Sequence, residues 1–397
     1  MTLVRPRTGQ GEDLLDAAEA IGPEIAAVTE EIERERRLPE SLVQRLYEAG
    51  LFTMLVPASL GGSELDLPSY VKVIEALARA DASVAWCVGQ ASGLSALSAY
   101  MNPRLAREVF DASGRRAIFA NGPGEGNVPG RAVERGDGYA VSGRWNFASG
   151  SRHASWLLAI CNVYDDDDVR QEDGHPAERL LVLPVEDAEM LDVWQVSGLR
   201  GTGSFSFTVS DLFVPRHRCI WVCSAERRER GPLYQFSNSG IFGPSFGSVS
   251  LGIATSALAA FVAMAGGKTP RGLPNPLSQS ATVQSGVARA HARLGAARSF
   301  LHTTLSDVWS RLLASGTLEV GDRVAVRLAA THATQETKQV TDAAYELAGS
   351  TAIFASRPFE RRFRDQHAVT QQLQARAAHY EAVGRSLLGL DPESPFL

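Results

Sequence analysis

Apolar and polar positions along this chain follow three successive rhythms. From about residue 10 to 117 the spacing is helical. Residues 14–37 set apolar positions three and four apart among many Glu and Arg, and Leu38-Pro39-Glu40 opens a further helix with proline in its tolerated first turn. Asp66-Leu67-Pro68-Ser69 starts another, with Val71, Val73, Ile74, Leu77 and Ala78 on one face. Asp81-Ala82-Ser83 caps a small-residue helix over 84–100.

From about 118 to 228 the rhythm shortens to that of strands. Segments 117–120, 139–147, 156–163, 179–185 and 205–209 are β-rich and separated by turns. Helical spacing returns at 245–265, 281–314, 318–347 and 364–388, with a Pro/Gly-rich connection at 266–278. Helices, then strands, then long helices predict an α+β fold in three parts, 1–117, 118–228 and 229–397.

A chain of 397 residues exceeds one ordinary core, in line with that division. Its 44% hydrophobic and 21% charged residues describe a soluble globular protein. A net charge of −6 gives no general attraction to nucleic acid or to an anionic membrane, so any phosphate site must be a local cluster. Residues 1–13 lack the apolar core of a signal peptide. A long uncharged and largely apolar stretch, 241–267, is interrupted by Gly, Ser, Thr and Pro and reads as a helix buried in protein. A cytoplasmic protein without membrane contact is expected. Cys87, Cys161, Cys219 and Cys223 are scattered without zinc spacing, so buried thiols and no metal are expected. Asp165 to Asp168 suit a solvated hairpin tip better than a calcium loop.

Several glycine-rich motifs fail on context. Gly122-Pro123-Gly124-Glu125-Gly126 lacks dinucleotide spacing and no helix follows it. Gly267-Lys268-Thr269 has no glycine five residues earlier, and Pro270 follows. Gly243-Pro244-Ser245-Phe246-Gly247 has the nucleophile-elbow pattern but no preceding strand, and a helix start accounts for it better.

The informative stretch is 136–156. Gly136-Asp137-Gly138 is turn chemistry, strand-like alternation follows, and the second strand breaks at Ser149-Gly150. A small hydroxyl therefore sits at a strand end among aromatic residues, a place suited to hold a flat ring and donate one hydrogen bond to it. Trp145 and Phe147 at alternate strand positions are either ring contacts or plain core.

Trp145, Phe147, Ser149, Gly150, His153 and Ala154 together resemble the acyl-CoA dehydrogenase superfamily, most closely the flavin-dependent monooxygenases built on that fold. Gly198-Leu199-Arg200-Gly201-Thr202-Gly203-Ser204 and Asp211-Leu212-Phe213-Val214-Pro215 carry a second superfamily phrase, and Leu51-Phe52 with Val56-Pro57 a third. The resemblance spans nearly the whole chain. It implies an N-terminal helical domain, a central β-barrel or sandwich and a C-terminal four-helix bundle, assembled as a homotetramer. It also implies a reduced flavin (FAD or FMN) as co-substrate from a separate reductase. The resemblance further implies that this flavin would react with O₂ to give a C4a-hydroperoxide that oxygenates a small organic substrate.

By the same resemblance, Phe147-Ala148-Ser149 stands where dehydrogenases carry a Thr near flavin N5, and Asn121 stands where they face a Thr to the ring. Arg200, Thr202 and Ser204 suit the flavin chain, the substrate entrance or simply a stable turn. Arg271, with Lys268, lies near the family's diphosphate-binding Arg from a neighbouring subunit. The alternative is an acyl-CoA dehydrogenase or oxidase, but one large subgroup places its catalytic Glu nine residues after Arg364's counterpart, and Leu373 stands there. Many of the oxygenases carry His seven residues after Asp365's counterpart, where this chain has Gln372. An amide there steadies oxygen or orients substrate but moves no proton near neutral pH. A single helix over 364–388 would turn Leu373 inward beside Gln372, and the resemblance implies that this amide then lies over the reacting edge of the flavin. Arg364 and Asp365 are expected to form a structural pair.

Overall fold

The computed structural model describes residues 10–394 except 113, 223–225 and 273. Cys223 therefore lies outside the described residues. The chain opens with α1 (Gln10–Ala27), α2 (Thr29–Glu35), α3 (Glu40–Glu48), α4 (Leu67–Ala80), α5 (Ala82–Ser95) and α6 (Pro103–Arg107). The helix expected over 14–37 is two, because Val28 leaves helical geometry and Arg36 closes α2 in the left-handed region at φ 53°. Carboxylates cap as their positions predict. Asp66 accepts from Ser69 N at the head of α4, and Asp81 accepts from Ser83 N and Val84 N at the head of α5.

The strands are β1 (Phe119–Asn121), β2 (Gly130–Glu134), β3 (Gly138–Ala148), β4 (Trp156–Asp165), β5 (Asp168–Val169), β6 (Gln171–Glu172), β7 (His175–Pro176), β8 (Glu178–Pro184), β9 (Glu189–Leu191), β10 (Phe205–Pro215) and β11 (Cys219–Ile220). One mixed sheet runs β11-β8-β4-β2-β3-β10-β9, with β1 and β5 joined to β4, while β6 and β7 pair separately. Asp165 pairs with Asp168 across the β4–β5 turn, an exposed tip whose Asp165 is held by Arg170.

The remaining helices are α7 (Asn238–Ala265), α8 (Ala281–Ser315), α9 (Val320–Ala348), α10 (Pro358–Gln371) and α11 (His379–Leu387). The first four of these pack on one another, and α7 also packs on α4 and α5. That central place explains why α7 shows almost no polar face. It is long and apolar enough to cross a membrane, yet Phe246, Val249, Leu251, Ile253 and Phe261 are buried inside the protein. Each fully buried side chain of this size contributes about 1.5–3 kcal/mol. The elbow-like Ser245 sits within α7, with its hydroxyl 3.1 Å from that of Tyr70.

The helix expected over 364–388 is broken. Gln372 is extended (φ −69°, ψ 143°), its amide oxygen accepts from Gln374 N, and a 3₁₀ turn, Leu373–Ala375, follows. Arg327 fixes the turn by donating to Gln374 O at 3.1 Å, and His379 is bonded to Leu373 O at 2.7 Å. A side-chain cap satisfies backbone that a continuous helix would have satisfied itself. Leu373 consequently points outward rather than into the core.

Candidate active site

The antiparallel register of β3 with β10 sets Ala148 opposite Phe205. The next residues out, Ser149 and Ser204, therefore face each other, both buried, with hydroxyl oxygens 2.7 Å apart. Gly150 N donates to Thr202 O at 2.8 Å and ties the turn after β3 to the loop before β10. From α5, the Trp86 indole N–H donates to Ser149 Oγ at 3.0 Å. Its ring stacks on Phe246 of α7 at 4.1 Å, and Phe246 lies 5.8 Å from Phe242. All three parts of the chain thus converge at one hydroxyl.

A bulge decides the fate of the two aromatic candidates. Between the pairs Ala148–Phe205 and Trp145–Phe207, β3 carries one more residue than β10. Left-handed backbone at Phe147, φ 59°, accompanies the extra residue. Two residues apart on a plain strand, Trp145 and Phe147 would share a face; the bulge parts them. Trp145 turns into the core, stacked on Phe207 at 4.9 Å, with its indole N–H on Ile160 O. The expected ring contact from Trp145 is corrected: it is fully buried sheet core. Phe147 is 62% exposed, edge-on to Trp194 at 6.1 Å.

Asn121 ends β1 beside this segment. Gly122 passes so close to β3 that an added Cβ would collide with the Asn146 carbonyl, and Pro123 O accepts from Asn146 N at 2.9 Å. Gln90 of α5 donates to Asn121 Oδ1 at 3.0 Å. The Asn121 amide N–H groups are left without a protein partner among the described residues.

The loop over 198–204 is wedged between layers. Gly198 lies against the Arg364 backbone, where a Cβ would collide, and the Asp365 carboxyl accepts from Leu199 N at 2.7 Å. Burial, with the like charge of Asp81, pushes Asp365 up to about 7. Arg364 binds Glu360, Glu33 and the Ser197 carbonyl, so it and Asp365 are not the pair the sequence suggested. Successive residues on a helix point apart, and each serves a different neighbour. Within the loop, Arg200 leans toward Glu33 at 3.7 Å, and Thr202 donates to Leu199 O at 2.8 Å.

Other polar side chains lie elsewhere. His153 accepts from Leu38 N at 3.1 Å, and burial with neighbouring Arg152 lowers it to about 4, a neutral backbone-bonded histidine. His367 pairs with Asp342 at 2.8 Å. Lys268 donates to Ala348 O and Thr351 Oγ1, each at 2.6 Å, while Arg271 is exposed in the α7–α8 connection. No hydrogen bond joins Gln372 to Ser149 or Asn121 among the described residues.

Sequence reasoning missed Trp86, Gln90 and Trp194. Trp86 and Gln90 carried a usable signal: two side chains with N–H groups, four residues apart, on a buried helix otherwise built of small and apolar residues.

The site suits a flavin ring. It offers an exposed aromatic face at Phe147, a buried hydroxyl at Ser149 and unpartnered amide donors at Asn121, a combination of apolar body and few polar contacts. Among the described residues, no carboxylate hydrogen-bonds to Ser149, Ser204, Gln90 or Asn121.

Comparison with known proteins agrees. Models of the acyl-CoA dehydrogenase N-terminal and C-terminal domains match residues 12–110 and 245–376. The chain belongs to the acyl-CoA dehydrogenase family. Its relatives include the indole-3-acetate monooxygenase of Acinetobacter baumannii, 27% identical over 92% of each chain. The flavin-dependent monooxygenase oxygenase subunit HsaA of Mycobacterium tuberculosis is 29% identical, covering 93% of this chain and 92% of that one. The structure of XiaF from Streptomyces sp. in complex with FADH2 and glycerol superimposes with a TM-score of 0.87 at 25% identity, covering 98% of both chains. The chain is accordingly a flavin-dependent oxidoreductase, and the monooxygenase assignment stands over the dehydrogenase one.

Proposed function

We propose that this protein is the oxygenase component of a two-component flavin-dependent monooxygenase. It takes reduced flavin from a separate reductase and uses O₂ to oxygenate a small aromatic substrate. The observation that carries this is the constellation at the end of β3: Ser149 buried under Trp86, with Phe147 turned outward and Asn121 beside it. FAD is the preferred flavin, since XiaF carries its reduced form. The flavin would supply the oxygen-activating chemistry when bound. Phe147 would pack on its ring, Ser149 would hold the ring edge, and Asn121 would donate to a ring oxygen. Arg200, Thr202 and Ser204 shape the loop beside it, and Arg271, exposed on its connection, reaches a phosphate across a subunit boundary.

The stacked rings of Trp86, Phe246 and Phe242 support a flat, apolar substrate on the helical side of Ser149. A dehydrogenase would need a carboxylate base near the substrate, and none bonds to this constellation among the described residues. Gln372 holds a turn through its amide oxygen, so its part is structural support for the end of α10. The oxygenase works in the cytoplasm as a homotetramer.

A reductase-coupled assay over a panel of small aromatic compounds tests the assignment. O₂-dependent incorporation of one oxygen atom into at least one of them supports it. Oxidation of an acyl-CoA thioester with an artificial electron acceptor, and no oxygen incorporation, would replace it with the dehydrogenase.

A further inference from the structure

Ser149 belongs to a closed series of hydrogen bonds whose direction the chemistry of its two ends fixes. At one end is the Trp86 indole, 3.0 Å from Ser149 Oγ. An indole N–H can only donate. At the other end is the Leu199 carbonyl, 2.8 Å from Thr202 Oγ1. A carbonyl can only accept. Between them, Ser149 and Ser204 lie 2.7 Å apart, as do Ser204 and Thr202.

Each hydroxyl has one proton. Thr202 must give its own to Leu199 O, because two acceptor oxygens at 2.8 Å without a proton between them would repel. The bond from Thr202 to Ser204 then needs the Ser204 proton, and the bond from Ser204 to Ser149 needs the Ser149 proton. Four donors meet four acceptors, in the order Trp86, Ser149, Ser204, Thr202, Leu199. All these residues are buried, so water does not compete for the protons.

Ser149 is thereby left with no proton to offer and one unused lone pair. This reverses the sequence expectation that its hydroxyl donates to the ring. The inference rests on the function proposed above and on the resemblance that stands Ser149 near flavin N5; against that nitrogen the two redox states would present opposite partners. The reduced ring carries an N–H there, while the oxidised ring carries a bare acceptor nitrogen. An acceptor hydroxyl bonds the first and meets the second lone pair to lone pair.

We propose that Ser204 and Thr202 are positioning residues that lock Ser149 as a hydrogen-bond acceptor, so that the site selects reduced over oxidised flavin. Such selection suits an oxygenase that receives its flavin reduced and must release it oxidised. The linkage is strict: binding the reduced form tighter raises the midpoint potential of the bound flavin, by about 30 mV for each tenfold for this two-electron couple.

The test is anaerobic titration of the intact protein with oxidised and dithionite-reduced FAD and FMN, for the wild type, Ser204→Ala and Thr202→Val. Removing Ser204 frees the Ser149 proton, which can then turn to the oxidised ring. Removing the Thr202 hydroxyl frees the same series one step further along. The wild type should bind reduced flavin at least tenfold tighter than oxidised. Each variant should lose about tenfold of that ratio, chiefly by tightening the oxidised state, and the bound potential should fall by about 30 mV. A merely structural role would weaken both states alike and leave the ratio and the potential in place, and that result would overturn the proposal. Equal wild-type affinity for the two states would also overturn it while leaving the oxygenase assignment standing. Failure to bind either flavin would overturn both.

Discussion

At Phe147 a single backbone angle separates a core residue from an exposed one. Left-handed backbone costs an ordinary residue about 1–2 kcal/mol, and here it turns a large ring out of the sheet. The arrangement predicts a split between stability and binding. Phe147→Ala and Phe147→Gly should both weaken flavin binding about tenfold, since both lose the ring. In flavin-free protein, the glycine variant should be more stable than the alanine variant by about 1 kcal/mol, because glycine adopts this φ without strain. Urea unfolding and anaerobic flavin titration read the two effects separately. Equal stability of the two variants would mean that Phe147 is not strained. The same residue shows the limit of legibility in the sequence. Trp145, Phe147 and Ser149 were all visible as a phrase, but alternation alone assigns Trp145 and Phe147 to one face. The bulge that parts them depends on how β10 pairs, and no local signal in β3 records it.

At the scale of elements, the loop over 198–204 and helix α10 matter most. The loop was recognisable from its glycines, whose reason is now plain: Gly198 lets the chain pass against the backbone of α10. The break after Gln371 was not legible, because 364–388 has no proline or glycine before Gly384, and the cap comes from a glutamine, a residue with good helix propensity. Loop and helix are joined by Asp365, which has consequences for pH. Its carboxyl stands at about 7 in the fold against an ordinary 3.8, from burial and then the nearby Asp81. The folded protein therefore holds a proton that the unfolded chain has lost. Stability from this group is complete below about 4 and is lost as pH rises toward 7, at up to about 1.4 kcal/mol per pH unit. Asp365→Asn keeps an acceptor for Leu199 N and has nothing to ionise. Relative to the wild type it should gain stability between pH 5 and pH 8 in thermal unfolding. An identical pH slope in the two proteins would show that Asp365 does not hold this proton.

For the whole molecule, helical spacing and strand alternation reveal the order of the parts, and the N-terminal helices even reveal their caps. What they leave out is how the parts clasp. Glu75 of α4 is buried against Arg298 and His302 of α8. Burial alone would raise its carboxyl, yet the His302 bond and the Arg298 charge hold it down to about 2. The outer surface is less complete. Val262 on α7, Ile353 and Phe354 after α9, and Leu387, Leu388 and Leu390 near the C-terminus are exposed apolar side chains on the helical end. They support the homotetramer proposed above. Light scattering on the purified protein should give four times the 42.7 kDa chain mass; a stable monomer with full flavin affinity would exclude assembly as part of the site.

The central claim is that Ser149 and its surroundings make a flavin site for oxygen chemistry. The most direct measurement is to load the protein with reduced flavin anaerobically, mix it with O₂ in a stopped-flow spectrometer and follow the flavin spectrum, for the wild type and for Ser149→Ala. The wild type should pass through a spectrum that is neither reduced nor oxidised flavin and that persists before oxidised flavin returns. In Ser149→Ala that phase should shorten by about tenfold or more, as loss of one buried hydrogen bond worth about 1–3 kcal/mol implies, with more hydrogen peroxide released. Direct return to oxidised flavin in the wild type, together with turnover of an acyl-CoA thioester, would contradict the account.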